Sequence, residues 1–147
     1  YAGREMSILC SKVFAIEIER YNQSSFAMFQ GQKEHGDEPI RTAQEFIENN
    51  FQEKISVDRL ATMTILGRRN FERRFKKATN DTVTKYIQRV KIEAAKKSFE
   101  TSKKNISEVM YDVGYTDIKS FRTIFKKITG LSPLDYRNKY NYEGMNL

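Results

Sequence analysis

The chain has 147 residues and a net charge of +7, with 39% hydrophobic and 31% charged side chains, no Trp and two prolines. One helix-rich domain or two small subdomains fit those totals, and no apolar run approaches the ~20 residues of a membrane span. A single cysteine, Cys10, and a single histidine, His35, exclude an internal disulfide and leave no four-ligand zinc set.

At the start of the chain Leu9, Val13 and Ile16 stand at helical spacing, so residues 4–16 are expected to form an amphipathic helix. A polar stretch over 17–25, an apolar patch at Phe26, Met28 and Phe29, and then Gly31, Gly36 and Pro39 read as the tail of an upstream domain followed by a linker. The chain begins at Tyr1 without a signal-peptide pattern, as expected of a piece of a longer, cytoplasmic protein. Residues 1–39 carry four basic and six acidic side chains, a net −2, whereas residues 40–147 carry 22 and 13, a net +9. The positive charge therefore belongs to the second stretch, and nucleic acid is the polyanion that suits it best. No basic amphipathic helix stands apart from the core pattern to meet a membrane surface.

From Pro39 onward the pattern predicts an all-α fold of about seven helices. Pro39 opens the first, with Ile40, Ala43, Phe46, Ile47 and Phe51 at helical spacing. Ser56 caps a second, running to about residue 64 with Val57, Leu60 and Ala61 inward. Gly67 opens a third, to about residue 79. A long fourth helix over 83–100 has one apolar stripe of Val83, Tyr86, Ile87, Val90 and Ala94 and another of Ile92, Ala95 and Phe99. Burial on two sides follows, as expected of a bridge between two units. Asn105 with Glu108 forms a capping box for the fifth helix, and Gly114 suits the left-handed backbone at its end. Asp117 caps a sixth helix that ends at Gly130, and Ser132-Pro133 starts the seventh.

Within this series a unit repeats. Phe71, Phe75, Lys76, Lys77, Thr79 and Tyr86 return 50 positions later as Phe121, Phe125, Lys126, Lys127, Thr129 and Tyr136, and Thr82 returns as Ser132. Upstream, Ser56, Val57, Leu60 and Ala61 match Asn105, Ile106, Val109 and Met110 at an offset of 49, so the second turn is one residue longer. Gly114 is expected to relieve that longer bend. Each copy reads as helix, turn, basic helix.

At 100° per residue, Phe71, Phe75 and Ala78 share one face of the third helix, while Arg69, Arg73 and Lys76 share the opposite one. In the sixth helix Phe121, Phe125 and Ile128 are expected inward, and Lys119, Thr123 and Lys126 outward with Arg122 on the flank. The phenylalanines are core residues rather than stacking platforms. A lone basic helix face is ordinarily solvated surface. A basic face repeated behind the same turn is different, because two such helices fit major-groove segments, where Arg bonds both acceptors of a guanine. The helix starts add amides and partial positive charge for phosphate.

The residues Gly114-Tyr115-Thr116-Asp117, Phe121, Phe125-Lys126-Lys127, Gly130-Leu131-Ser132-Pro133 and Tyr136-Arg137 resemble the AraC/XylS family of bacterial transcription regulators. Leu60-Ala61, Phe71, Arg73, Phe75-Lys76-Lys77 and Tyr86, with Arg89, Ala94 and Ala95 in the bridging helix, resemble the same family's first unit. The likeness covers residues 40–141 and implies two homeodomain-like helix-turn-helix subdomains, over 40–81 and 105–141, joined by a bridging helix over 82–104. Residues 142–147 remain as a tail. By position it implies base reading by Arg69, Glu72 and Arg73 in the first unit and by Lys119, Arg122 and Thr123 in the second. Phosphate contact falls to Gly67, Arg68, Arg74, Lys76, Lys77, Asp117, Ser120, Lys126 and Lys127. Departures from the family pattern are Thr123 for a frequent Arg, Gly67 for a usual Ser cap, and Met110 for a small Ala. Gly3-Arg4-Glu5, Leu9 and the run 22–30 are similar to the end of an amidotransferase-like (DJ-1/PfpI-type) sensor domain.

The partner expected is double-stranded promoter or operator DNA, with RNA polymerase as a second, for a monomeric fragment of a protein that can dimerise at full length. No metal or cofactor is implied. The alternative is a basic helical module that docks on an acidic protein such as RNA polymerase. An enzyme is not indicated, since there is no glycine-rich phosphate loop, nucleophile triad or ligand cluster.

Overall fold

Side-chain caps mark where the helices begin. In the computed structural model, which describes residues 31–141, Ser56 and Thr82 accept hydrogen bonds from the amides of Arg59 and Lys85. Asn105 and Glu108 close their capping box through two 2.8 Å bonds. Ser132 accepts from Asp135 ahead of Pro133 at the first helical position. The described residues contain seven α-helices: α1 Glu38–Asn49, α2 Val57–Met63, α3 Arg68–Thr79, α4 Val83–Thr101, α5 Ile106–Asp112, α6 Ile118–Thr129 and α7 Pro133–Tyr140. The expected helix over 4–16, the polar stretch and apolar patch after it, and the tail over 142–147 lie outside the described residues.

The sequence repeat is a repeat of geometry. The rings of Phe71 and Phe75 lie 5.8 Å apart at 51°, and those of Phe121 and Phe125 lie 5.7 Å apart at 51°. Phe75 meets Tyr86 edge-on at 5.4 Å, and Phe125 meets Tyr136 edge-on at 5.5 Å. Thr79 donates to the Phe75 carbonyl at 2.8 Å and Thr129 to the Phe125 carbonyl at 2.9 Å. Each tyrosine hydroxyl donates to a glutamate, Tyr86 to Glu48 at 2.8 Å and Tyr136 to Glu100. Burial, reinforced by those carboxylates, pushes both phenols far above their ordinary pKa.

Helix α4 explains how one core serves two units. Its first half carries Tyr86 against α3 and so plays the part that α7, with Tyr136, plays in the second unit. Its second half carries Phe99, whose ring meets Phe125 edge-on at 5.6 Å, and so plays the part of α1. Both apolar stripes of α4 are buried, from Val83, Tyr86 and Val90 to Ile92, Ala95 and Phe99. We call α1–α3 with the start of α4 the first head, and the end of α4 with α5–α7 the second.

Two expectations need correction. Ile128 is 39% exposed rather than inward. Its counterpart Ala78 is half-buried beside His35 and Gly36 of the lead-in segment, and no described segment covers Ile128 in that way. Gly114, for its part, does not exist to absorb the extra residue. Both turns have a left-handed residue at the equivalent place, Ile65 at φ 61° and Gly114 at φ 98°. Both close with matching bonds, Leu66 N–H to the Ala61 carbonyl at 2.9 Å and Tyr115 N–H to the Met110 carbonyl at 3.0 Å. The additional residue falls after this motif, at Thr116, before Asp117 caps α6.

Candidate nucleic-acid interface

The 11 residues from Gly67 to Lys77 include six cations and one carboxylate, and Phe71 and Phe75 turn their helix so that the cations face out. Arg69 is exposed and has no hydrogen-bond or ion-pair partner among the described residues. Arg73, also exposed, donates to the Asn70 side chain at 2.6 Å. Glu72 lies 3.7 Å from Arg68, which also meets Asp58 at 3.2 Å. Lys76 reaches the Asn80 carbonyl at 3.2 Å, and Lys77 is exposed in the same last turn. Gly67 starts the helix with no side-chain cap, so its first amides are open to an outside acceptor.

Arg74 is placed differently from what its sequence position implies. Its guanidinium forms a two-pronged pair with Asp37, at 3.0 and 2.7 Å. The Arg74 bonds hold the Asp37 carboxyl below its ordinary pKa. The pair fastens the lead-in segment 31–37 to α3. Lys33 with Glu48 at 2.8 Å and Gln32 with the Thr79 carbonyl at 2.9 Å fasten it further.

In α6 the carboxylate of Asp117 accepts from the Lys119 amide at 3.4 Å, the Ser120 amide at 3.1 Å and the Ser120 hydroxyl at 2.7 Å. The Ser120 bonds lower its pKa. Asp117 and Ser120 are therefore bonded to each other at the helix start. Lys119, Arg122, Thr123, Lys126 and Lys127 are exposed. Lys119 and Thr123 line a cleft of ≈ 710 Å³ that Lys54 from the α1–α2 loop and Gln88 from α4 also line. Neither Lys54 nor Gln88 belongs to a turn-following basic helix, and nothing in the linear pattern singles them out.

The site thus comprises two cationic helix faces, one with an open start and one with a carboxylate-capped start, together with a cleft beside the second. Residues 60–139 match the family model described as a helix-turn-helix domain. The chain is 34% identical over 102 residues to an uncharacterised helix-turn-helix-type transcriptional regulator in the cgkA 5′ region of Pseudoalteromonas carrageenovora, covering 69% of this chain and 60% of that one. It is 35% identical over 99 residues to AdaA of Bacillus subtilis, a bifunctional transcriptional activator and DNA repair enzyme, covering 67% and 47%. The fold matches the DNA-binding domain of AdpA, a global transcriptional factor solved with a target DNA, at a TM-score of 0.67 and 26% identity, over 69% of this chain and 92% of that one. The chain spans about half the length of the curated relatives it matches. No described helix is long and apolar enough to cross a membrane. With two copies of one turn-and-basic-helix geometry sharing a single bridging helix, the chain belongs to the helix-turn-helix domain family in its AraC/XylS-type, two-unit form.

Proposed function

We propose that the chain binds double-stranded DNA sequence-specifically, with α3 and α6 in successive major-groove segments, and that it regulates transcription. The observation that carries this reading is the duplicated geometry, which puts a cationic face on the outside of each turn-following helix. Arg69 and Arg73, flanked by Glu72, read bases for the first head, and Lys119, Arg122 and Thr123 for the second. Gly67, Arg68, Lys76, Lys77, Lys126 and Lys127 meet phosphates, joined by Lys54 and Gln88 beside the second helix. Arg74 joins them only if Asp37 releases it. A sensor of the amidotransferase-like (DJ-1/PfpI) type upstream, contact with RNA polymerase and dimerisation of the longer protein complete the proposal.

A binding titration tests it, using the DNA upstream of the protein's own gene and a scrambled duplex at several salt concentrations. Affinity is expected to fall steeply with salt while the preference for one sequence persists. The double variant Arg69→Ala, Arg73→Ala is expected to lose that preference. Equal affinity for every duplex overturns the reading.

A further inference from the structure

Every extensive helix–helix contact lies within one head or involves α4, so the setting of one head against the other depends on what happens around the middle of that helix. Lys91 stands there, with only 7% of its surface exposed. Its ammonium donates to three backbone carbonyls: Phe51 and Glu53 (3.0 Å) in the α1–α2 loop of the first head, and Val113 (3.2 Å) in the α5–α6 turn of the second. One side chain therefore ties a loop of each head to the shared helix, and no carboxylate among the described residues pairs with it. Gly114 makes the approach possible. A β-carbon there would stand 2.8 Å from the Gln52 carbonyl oxygen and 2.5 Å from Lys91 Nζ. Burial lowers the Lys91 pKa to about 8, so the carbonyls offset a real desolvation cost. An apolar side chain of similar length would avoid desolvating a charge, but it would leave the Phe51, Glu53 and Val113 carbonyls without this donor and could not hold two loops in a fixed relation.

We infer that Lys91 is a positioning residue: its three-carbonyl clasp fixes the setting of α3 against α6 and thereby the half-site spacing that the protein accepts. This rests on the two-headed DNA reading proposed above. Inserting one base pair between half-sites rotates one against the other by roughly 34°, which only a loosely joined pair of heads could follow.

The test uses the 147-residue chain with Cys10→Ser and spin labels at Thr62→Cys on α2 and Asn138→Cys on α7, both exposed positions outside the proposed DNA contacts. With Lys91 present, electron–electron resonance is expected to give a narrow distance distribution. Lys91→Met should broaden it about twofold while helical content stays unchanged. A duplex selected from a random library by the wild type is then compared with the same duplex carrying one inserted base pair. The wild type is expected to lose about tenfold in affinity and Lys91→Met less than about twofold. A folded Lys91→Met chain with the wild-type distance width and spacing preference overturns the inference. If Met leaves the chain unfolded, Lys91→Gln replaces it, and an unbroadened distribution there overturns the inference equally. Failure of the wild type to prefer any duplex would sink the DNA reading, while the distance measurement would still judge the clasp.

Discussion

The two heads share an aromatic core to within a few tenths of an ångström, yet they begin their turn-following basic helices in opposite ways. In the first, Gly67 leaves the α3 amides uncapped and Ile65 holds the left-handed turn position. In the second, Asp117 occupies the α6 amides and Gly114 holds the turn. An open helix start with positive dipole and adjacent arginines is an anion site in waiting, whereas a start already holding a carboxylate repels a phosphate. On the proposed reading both heads meet DNA, and the first offers phosphate an open helix start that the second lacks. The ring pairs coincide in the two heads, whereas the helix starts differ.

Gly114→Ala should produce the largest effect. A left-handed φ costs an L-residue roughly 1–2 kcal/mol, and here the added carbon also meets the Gln52 carbonyl. A loss of about 3 kcal/mol is expected in chemical denaturation. Gly130→Ala supplies the contrast, since a β-carbon there meets nothing within 4 Å and only the backbone cost of about 1–2 kcal/mol remains. Equal losses at the two sites would mean that the junction is looser than the structure shows.

Binding should separate the heads next. Arg69→Ala is expected to weaken binding to a selected duplex by about 2 kcal/mol, and Lys119→Ala by about 1 kcal/mol, in fluorescence anisotropy. The reverse order would assign the reading to the second head. Asp117→Ala tests the other half of the contrast and should lower the melting temperature by about 5 °C. The folded-state pKa of Asp117 is below that of the unfolded chain. Its contribution is therefore complete above the unfolded value of about 4 and is lost as pH falls through the lower folded value. The gap between wild type and variant should narrow in that acid window. DNA affinity at low temperature, where the variant is folded, should not fall, because the carboxylate faces no phosphate productively.

How much of this was readable beforehand depended on sequence distance. Caps such as Asn105 with Glu108 are legible because donor and acceptor lie three residues apart, and the aromatic repeat because identity recurs at a fixed offset. Lys91 was not legible, since a lysine on a helix ordinarily points to water and its acceptors lie 40 residues before and 22 after it. Arg74 looked like one more outward cation, and only folding brings Asp37, 37 positions away, against it. Gln44 and Glu48 are buried because the Tyr86 hydroxyl needs polar partners inside, a demand set by a residue on another helix.

Ile65 gives the smallest effect and the sharpest question about the first head. It combines φ 61° with 90% exposure, so it bears the cost of a left-handed backbone with no burial in return. Gly at this position would relieve the crowding but return much of the gain through the entropy of the unfolded chain. Asn visits this conformation far more readily than Ile and keeps a side chain. Ile65→Asn is therefore expected to raise stability by about 0.5–1 kcal/mol, a shift of roughly 4 °C in Tm. Its DNA affinity decides what the strain is for. Unchanged affinity would make Ile65 a tolerated misfit in the turn. Weaker binding to the selected duplex, in a chain that melts higher, would show that the exposed apolar side chain is held out at an energetic cost because the first head uses it.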